Sequence, residues 1–439
     1  MGGGVFQALT RNGDLLAQRL GTRLVVTRVA VRSLHKQRNF PFPKPLLTSD
    51  WHRVVNDPTV DIVVELMGGV TTARQVVHAA VSAGKPVVTA NKALLSTHGP
   101  ELFALAAKHG VNLYYEASVA GGIPIIKVLR ESFVGNRLIR LAGIVNGTCN
   151  YILTRMKLEG ADFSTVLADA QRLGYAEAEP SLDVDGHDAA HKTGILASLA
   201  HGFWVTPEQI HTEGIRPVTA LDIRFAAQLG YTIKLLGIVK DLSAIGSGTG
   251  TGTAKRTRRT PGIQVAVYPA LVPDAHVLAS VNYAFNAISL RGDIVGDTLF
   301  YGRGAGQDPT ASSVLSDLAD AALDLRHGCH RRVPAFTPCT GKNAGRCVVP
   351  MDEVISRYYV RLNVIDKPGV FAKVAGVLAQ AKIGISSVIQ PEGHEGETVP
   401  VILMIHDAPN RAMRQVLAKL GKLPFVKAAP VMFRVETLE

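Results

Sequence analysis

The sequence predicts an α/β protein of several domains, with a parallel sheet and crossover helices in its first part and a ferredoxin-like module at its end. Three observations carry this. Short β-branched runs at 24–31, 60–66, 86–90 and 111–115 alternate with helical patterns such as TTARQVVHAAVSAGK and GPELFALAAKHG, the order that builds a parallel sheet. From about residue 355 the pattern becomes strand, helix, strand, strand, helix, strand, which is the ferredoxin-like order. The 439 residues also exceed what one core accommodates, since single cores rarely grow beyond about 250–300 residues.

The first strands are apolar almost throughout, as in VDIVVEL, so both of their faces are covered, as in Rossmann-like nucleotide-binding folds. That fold's fingerprint is a strand leading into G-x-G-x-x-G at a helix N-terminus, where glycines let the backbone approach a pyrophosphate. Here Gly2, Gly3 and Gly4 precede a helix read from Val5 to Leu20, with no strand before them. The expectation is a Rossmann-like domain lacking its first strand, through a start placed too late or an incomplete sequence. By themselves such glycines are more often a flexible terminus than a phosphate cradle. The second strand ends in VAVRSLHKQR; Arg32 at its tip suits an adenosine 2′-phosphate, where an acidic residue would favour NAD. On residues alone Arg32 is equally a surface arginine in a basic turn with Lys36 and Arg38.

Composition narrows the class. Hydrophobic residues make up 47% and charged residues 19%, and no apolar run approaches the roughly 20 residues that span a bilayer. The start has no basic n-region and apolar h-region, so the expected compartment is the cytoplasm, with no membrane partner. Cys149, Cys329, Cys339 and Cys347 form no CxxC pair, which indicates neither a disulfide framework nor a zinc site. The net charge of +11 is dispersed except for AKRTRR at 254–259, inside a Gly/Thr-rich stretch near 245–262 read as a flexible, solvated loop. No helix-turn-helix, zinc-finger or base-stacking signature accompanies it, so no nucleic-acid partner is expected.

Five segments carry the chemistry. VVTANKALL (87–95) ends a strand on Thr89, Asn91 and Lys92, and YYEASVAGGIPII (114–126) places Glu116 before an irregular glycine loop. GIVNGTCNYIL (143–153) holds Asn146, Gly147 and Thr148. LGYAEAEPSLDVDGHDAAHKTGILASLA (173–200) contains Glu177, Asp183, Asp188 and Lys192; Asp188 and Lys192, four apart, share one face of a helix. The stretch 282–318 places Gly302, Gly304 and Gly306 before a helix opened by Pro309 and Thr310. Together these segments, over residues 2 to about 325, resemble homoserine dehydrogenase.

The resemblance implies NAD(P)-dependent interconversion of L-homoserine and L-aspartate 4-semialdehyde, an oxidation at CH–OH within threonine, methionine and isoleucine biosynthesis. It implies cofactor contacts from Gly2, Gly3, Arg32, Thr89, Lys92, Asn146, Gly147 and Gly302, with NADP favoured over NAD. Substrate would be held by Glu177, Asp183 and Lys92, and a structural sodium ion by Glu116 with the carbonyls of Val119, Gly121 and Ile123. Lys192, Lys92 and Asp188 would be catalytic. Reducing an aldehyde needs a proton on oxygen, which a lysine ammonium can supply while stabilising the developing alkoxide. Taken without the resemblance, 114–126 reads as a strand-to-helix turn and 177–192 as an acidic loop capping a helix.

The last segment, with its DKPGV turn, resembles an ACT domain. That implies a threonine effector around Asp366, Gly369 and Val370; the alternative is a dimerisation or spacer module without a ligand, since the fold is reused for several functions. The expected domains are 1–125 (nucleotide-binding), 126–325 (α+β catalytic and dimerisation, its last helix returning to the nucleotide domain), 326–354 (linker) and 355–439 (ACT). A homodimer or tetramer is expected. The alternative is a cofactor-free ACT-containing sensor or assembly subunit that lost catalysis with the first strand. A semialdehyde dehydrogenase working through a cysteine nucleophile is a weaker fit, because no cysteine has a catalytic setting.

Overall fold

The computed structural model describes residues 1–36, 42–245, 262–329, 332–340 and 345–438; most of the basic Gly/Thr-rich stretch, 246–261, and Arg38 lie outside the described residues. The chain forms two compact units that do not follow chain order. The first comprises 1–138, 191–207 and 290–344, the second 139–190, 208–289 and 345–439.

In the first unit the parallel strands fall into two separate sheets. β1 (Val29–Ala30) pairs with β2 (Leu47–Thr48), while β3 (Val63–Glu65), β4 (Val87–Thr89) and β5 (Leu113–Tyr114) form the other, in that order. The strands are shorter than their sequence runs: residues 24–28 lie outside any strand, because a β conformation is fixed only where a neighbour supplies ladder hydrogen bonds. The opening helix runs Gly2–Leu20, so the three glycines form its first turn rather than preceding it. It packs with the helix Gln307–Arg326 on a core of Val5, Ala8, Val88, Tyr114, Val314 and Leu318. The latter helix begins two residues before the predicted Pro309, capped by Gly306.

The helix Lys92–His109 is longer than the 99–110 pattern suggests, and it passes through Pro100. Proline removes the N–H that would bond the carbonyl four residues back. The freed carbonyl of Ser96 instead accepts the indole N–H of Trp204 at 3.3 Å, which explains how the helix continues. Asn91 caps its start through Leu94 N–H (3.1 Å).

The second unit is built on one sheet. Its strands are β6 (Leu138–Ile144), β7 (His211–Thr212), β8 (Tyr231–Asp241), β9 (Gly262–Pro273) and β10 (Phe285–Gly292). After β10 the chain re-enters the first unit with β11 (Gly296–Arg303) and returns with β12 (Cys347–Val348), β13 (Ile355–Ile365), β14 (Ile385–Ile389), β15 (Thr398–Pro409) and β16 (Val431–Val435). The order is β10-β6-β8-β9-β16-β13-β15-β14. The last four strands are antiparallel, in the order fourth, first, third, second, with helices Val370–Gln380 and Asn410–Leu420 between them. This is the ferredoxin-like topology read from the sequence. Its core joins Tyr358, Val360, Val374, Leu378, Leu403 and Met413, each buried aliphatic side chain contributing about 1.5–3 kcal/mol.

The stretch predicted as a plain linker is pinned in places. The carbonyls of Val333 and Pro334 accept Arg130, and that of Ala335 accepts the Tyr115 hydroxyl (2.5 Å); β12 pairs with β9. Turn residues without apolar periodicity hid this, because the contacts are made by the backbone.

Candidate functional site

Within the first unit, β4 delivers Thr89 to the sheet's end. Its hydroxyl donates to Glu65 Oε2 (2.7 Å) and accepts Asn91 N–H (3.1 Å), and Asn91 Nδ2 donates to the carbonyl of Gly69 (2.7 Å). Lys92, half-buried, is the first residue of the helix that Asn91 caps. Glu65 was not singled out by the sequence reading. It is 1% exposed and also accepts Met67 N–H (2.8 Å); a carboxylate at the end of the apolar run VDIVVEL was the available signal. Gly2 and Gly3 leave open space around the first turn of a helix with no side-chain cap, so its N–H groups fit a pyrophosphate. Arg32 is exposed just beyond β1, and Gly302 lies in β11 with its Cα facing Ile123.

Glu116 occupies the turn after β5 and is 1% exposed. Its carboxylate accepts the N–H groups of Ile126 (2.9 Å) and Lys127 (2.8 Å), while its own N–H donates to Asp317 Oδ2 (2.8 Å). Burial pushes the Glu116 carboxyl up to about 7 against those backbone donors; burial, then the charge of Glu116, raises Asp317 well above the carboxylate range. Gly122 N–H bonds the Arg303 carbonyl (3.0 Å), and a Cβ there would stand 2.6 Å from the same oxygen, so only glycine permits the approach. The carbonyl of Gly121 accepts Ser313 Oγ (2.5 Å), and that of Ile123 accepts Ile125 N–H (2.8 Å). Two buried carboxylates beside carbonyl oxygens in an irregular turn are a donor set that fits a hard cation.

In the second unit Asn146 caps the helix Gly147–Glu159, its Oδ1 accepting Cys149 N–H (2.8 Å). Its Nδ2 donates to Asp183 Oδ1 (2.7 Å) and to Asp188 Oδ2 (2.9 Å), so both N–H groups of the amide are used. Gly147 sets the helix backbone against the carbonyl of Ala284, which a Cβ would approach to 3.0 Å. Thr148 Oγ1 donates to the carbonyl of Tyr175 (2.9 Å), and Cys149, which is buried, donates its thiol to the carbonyl of Asp183 (3.2 Å). Glu177 is exposed in the turn at 173–180, its carbonyl holding Gln171 Nε2 (3.0 Å). Asp188 opens the helix His187–His201, and Lys192, half-buried, follows one turn on. The division between the units falls inside this helix, between Ala190 and His191.

Asp317 and Lys234 are further residues without a sequence signal; burial, then repulsion from Lys157, lowers Lys234 to about 7. It donates to the carbonyl of Val281 (2.5 Å) and to Asn150 Oδ1 (3.1 Å). It lies in β8, which is buried along nearly its whole length, and a lone lysine in such a run carries no sequence sign of its partners. In the C-terminal module, a cavity of about 430 Å³ is lined by Asp366, Gly369, Val370, Phe371, Gln390 and Glu395 among others, at the turn where the effector site was expected.

Residues 124–319 match the family model described as homoserine dehydrogenase, and residues 1–116 match the model of its NAD binding domain. The homoserine dehydrogenase of Pseudomonas aeruginosa is 42% identical over 446 residues, covering 100% of this chain and 97% of its own. The chain belongs to the homoserine dehydrogenase family. The Mycobacterium tuberculosis homoserine dehydrogenase is 41% identical, covering 99% of this chain and 95% of its own. Among solved structures, a homoserine dehydrogenase from Thiobacillus denitrificans has a TM-score of 0.87 at 42% identity, covering 100% of this chain and 96% of that one. This family member is accordingly an oxidoreductase acting on CH–OH, with a domain for a nicotinamide cofactor, and the enzymatic reading stands over the cofactor-free one. No helix among the described residues is long and apolar enough to cross a membrane.

Proposed function

We propose that the chain interconverts L-homoserine and L-aspartate 4-semialdehyde in threonine, methionine and isoleucine biosynthesis, with Lys192 as the proton donor and acceptor at the substrate oxygen. The observation that carries this is the amide of Asn146 holding Asp183 and Asp188 together, with Lys192 one helical turn beyond Asp188. A nicotinamide held by these residues would supply or take the hydride. Lys192 protonates the carbonyl oxygen as the alkoxide develops, and Lys92 adds positive charge for the same oxygen. Glu177 and Asp183 take the α-ammonium group, and Asp188 orients Lys192 from the preceding turn. Since the Asn146 side chain is committed to its cap and two carboxylates, its contact with the cofactor is through backbone, as is that of Gly147.

Gly2 and Gly3 bind the pyrophosphate at the helix N-terminus, Thr89 shapes the strand end beside the cofactor, Gly302 permits its close approach, and Arg32 favours NADP through the 2′-phosphate. Glu116 and the carbonyls of Val119, Gly121 and Ile123 hold a sodium ion that structures the turn after β5. The domains are 1–125, 126–325, 326–354 and 355–439, the last an ACT module that binds threonine at Asp366, Gly369 and Val370 and lowers activity. The working form is a homodimer or tetramer in the cytoplasm. The test is L-homoserine-dependent reduction of NADP and of NAD by the purified chain, with and without threonine. Reduction of NADP that threonine suppresses is expected; no reduction of either nucleotide overturns the reading.

A further inference from the structure

Segment 211–216 joins two parts of the second unit that are far apart in the chain. β9 offers one edge to three short parallel partners in succession: β12 at Gly262 and Ile263, β7 at Ala266 and Val267, and β16 at Ala270 and Leu271. β7 and β16 therefore follow one another along that edge. Glu213, just after β7, donates its N–H to the carbonyl of Val267 (2.8 Å), and its carboxylate accepts Arg434 Nη1 of β16 (2.8 Å). Arg434 is 1% exposed, lies over the Tyr268 ring with its guanidinium carbon 4.6 Å from the centroid, and donates to Asn410 Oδ1 (2.9 Å). Burial alone would raise the Glu213 carboxyl, but its hydrogen bond with His211 and the Arg434 charge bring it down to about 2.

Beyond Glu213 the backbone lies on the acidic segment. Ile215 N–H donates to the carbonyl of Val184 (2.8 Å). Arg216 donates to Asp185 through Nε (2.5 Å) and Nη2 (3.2 Å), and to Ser181 Oγ (3.2 Å). A Cβ on Gly214 would stand 2.2 Å from the Val184 carbonyl oxygen and 2.5 Å from Asp185 Cα, so any side chain there forces the two backbones apart. The segment beneath is the short helix Ser181–Val184, which carries Asp183.

We infer that 211–216 is a positioning strap: it seats the Ser181–Val184 helix, and with it Asp183, while Arg434 of the C-terminal module fixes the strap through Glu213. The strap acts on affinity for the amino-acid substrate, which rests on the reading that Asp183 binds that substrate. Its residues are positioning residues. It also gives the C-terminal module a continuous set of contacts to the substrate segment, and such coupling is established energetically rather than by adjacency.

The experiment is steady-state kinetics of the full chain with L-homoserine and NADP for Glu213→Gln, Arg434→Met and the double variant, with Tm measured for each. Each single substitution is expected to raise KM for L-homoserine roughly threefold to tenfold, the reach of one lost charged hydrogen bond acting through an intermediary, with kcat and KM for NADP within about twofold. The double variant is expected to be no worse than the worse single one. Arg216→Gln, at a pair nearer the surface, should raise the same KM and keeps the test open if Arg434→Met does not fold. An unchanged KM for L-homoserine in both Glu213→Gln and Arg216→Gln overturns the strap, as does a parallel change of both KM values and kcat that tracks lost Tm. Asp183→Asn separates the two readings. If it leaves KM unchanged while the strap variants raise it, the substrate role of Asp183 falls and the strap acts through another residue of its segment; if only Asp183→Asn raises KM, the strap falls.

Discussion

In the first unit Glu116 and Asp317 share a buried cluster, and the donors that answer them are backbone N–H groups of Glu116, Ile126 and Lys127. In the second, the amide of Asn146 donates to both Asp183 and Asp188. In the first arrangement burial raises both carboxyls, and the charge of Glu116 raises Asp317 further. The second fixes the orientation of two carboxylates, one of them, Asp188, on the helix that carries Lys192 one turn further on. The difference teaches that a buried carboxylate is read by what meets it, because burial alone reports a solvation cost and not a role.

The comparison can be broken most sharply at Asn146. Asn146→Ala removes donors to two carboxylates; each such bond is worth about 1.5–3 kcal/mol and about 1.4 kcal/mol is tenfold in rate, so kcat/KM should fall roughly a hundredfold, with about 1 kcal/mol of stability lost with the cap. Steady-state assays beside thermal unfolding check both. A smaller effect belongs to Glu116. Its folded-state value is raised from 4.5 to about 7, so the folded chain binds the proton more tightly than the unfolded one. Its stabilising contribution is full below about pH 4.5 and is lost as pH rises through 7, and Asp317 acts in the same direction. In sodium-free buffer Tm should decline over that window. Sodium at a hundred times its Kd should restore about 2.7 kcal/mol, and Glu116→Gln should flatten both responses. The smallest effect is expected in the C-terminal module. Gly369 caps its helix at φ 81, where a Cβ costs about 1–2 kcal/mol, so Gly369→Ala should lower stability by that amount in thermal unfolding.

The ferredoxin-like module was legible because its strands alternate and its helices are amphipathic over whole turns, so local pattern and final topology agree. The parallel strands of the first unit were legible in position but not in extent, since 24–28 have the composition of a strand and lie outside one. The segment holding Asp183, Asp188 and Lys192 was found by its motif, and so was Asn146; that Asn146 bridges the two aspartates was hidden, because the bridge spans 37 and 42 residues of chain. Asp317 and Lys234 gave no sign, being single charges on otherwise ordinary elements. The strap was equally invisible: Gly214 looks like any loop glycine until Val184 is placed against it.

The most direct measurement is oxidation of NADPH driven by L-aspartate 4-semialdehyde, compared between the chain as it stands and Lys192→Ala at matched Tm. A kcat lower by roughly 10²–10⁴ is expected, the usual contribution of a positioned general acid, with NADPH still bound. Turnover by Lys192→Ala at the unsubstituted rate would contradict the proton-transfer role of Lys192.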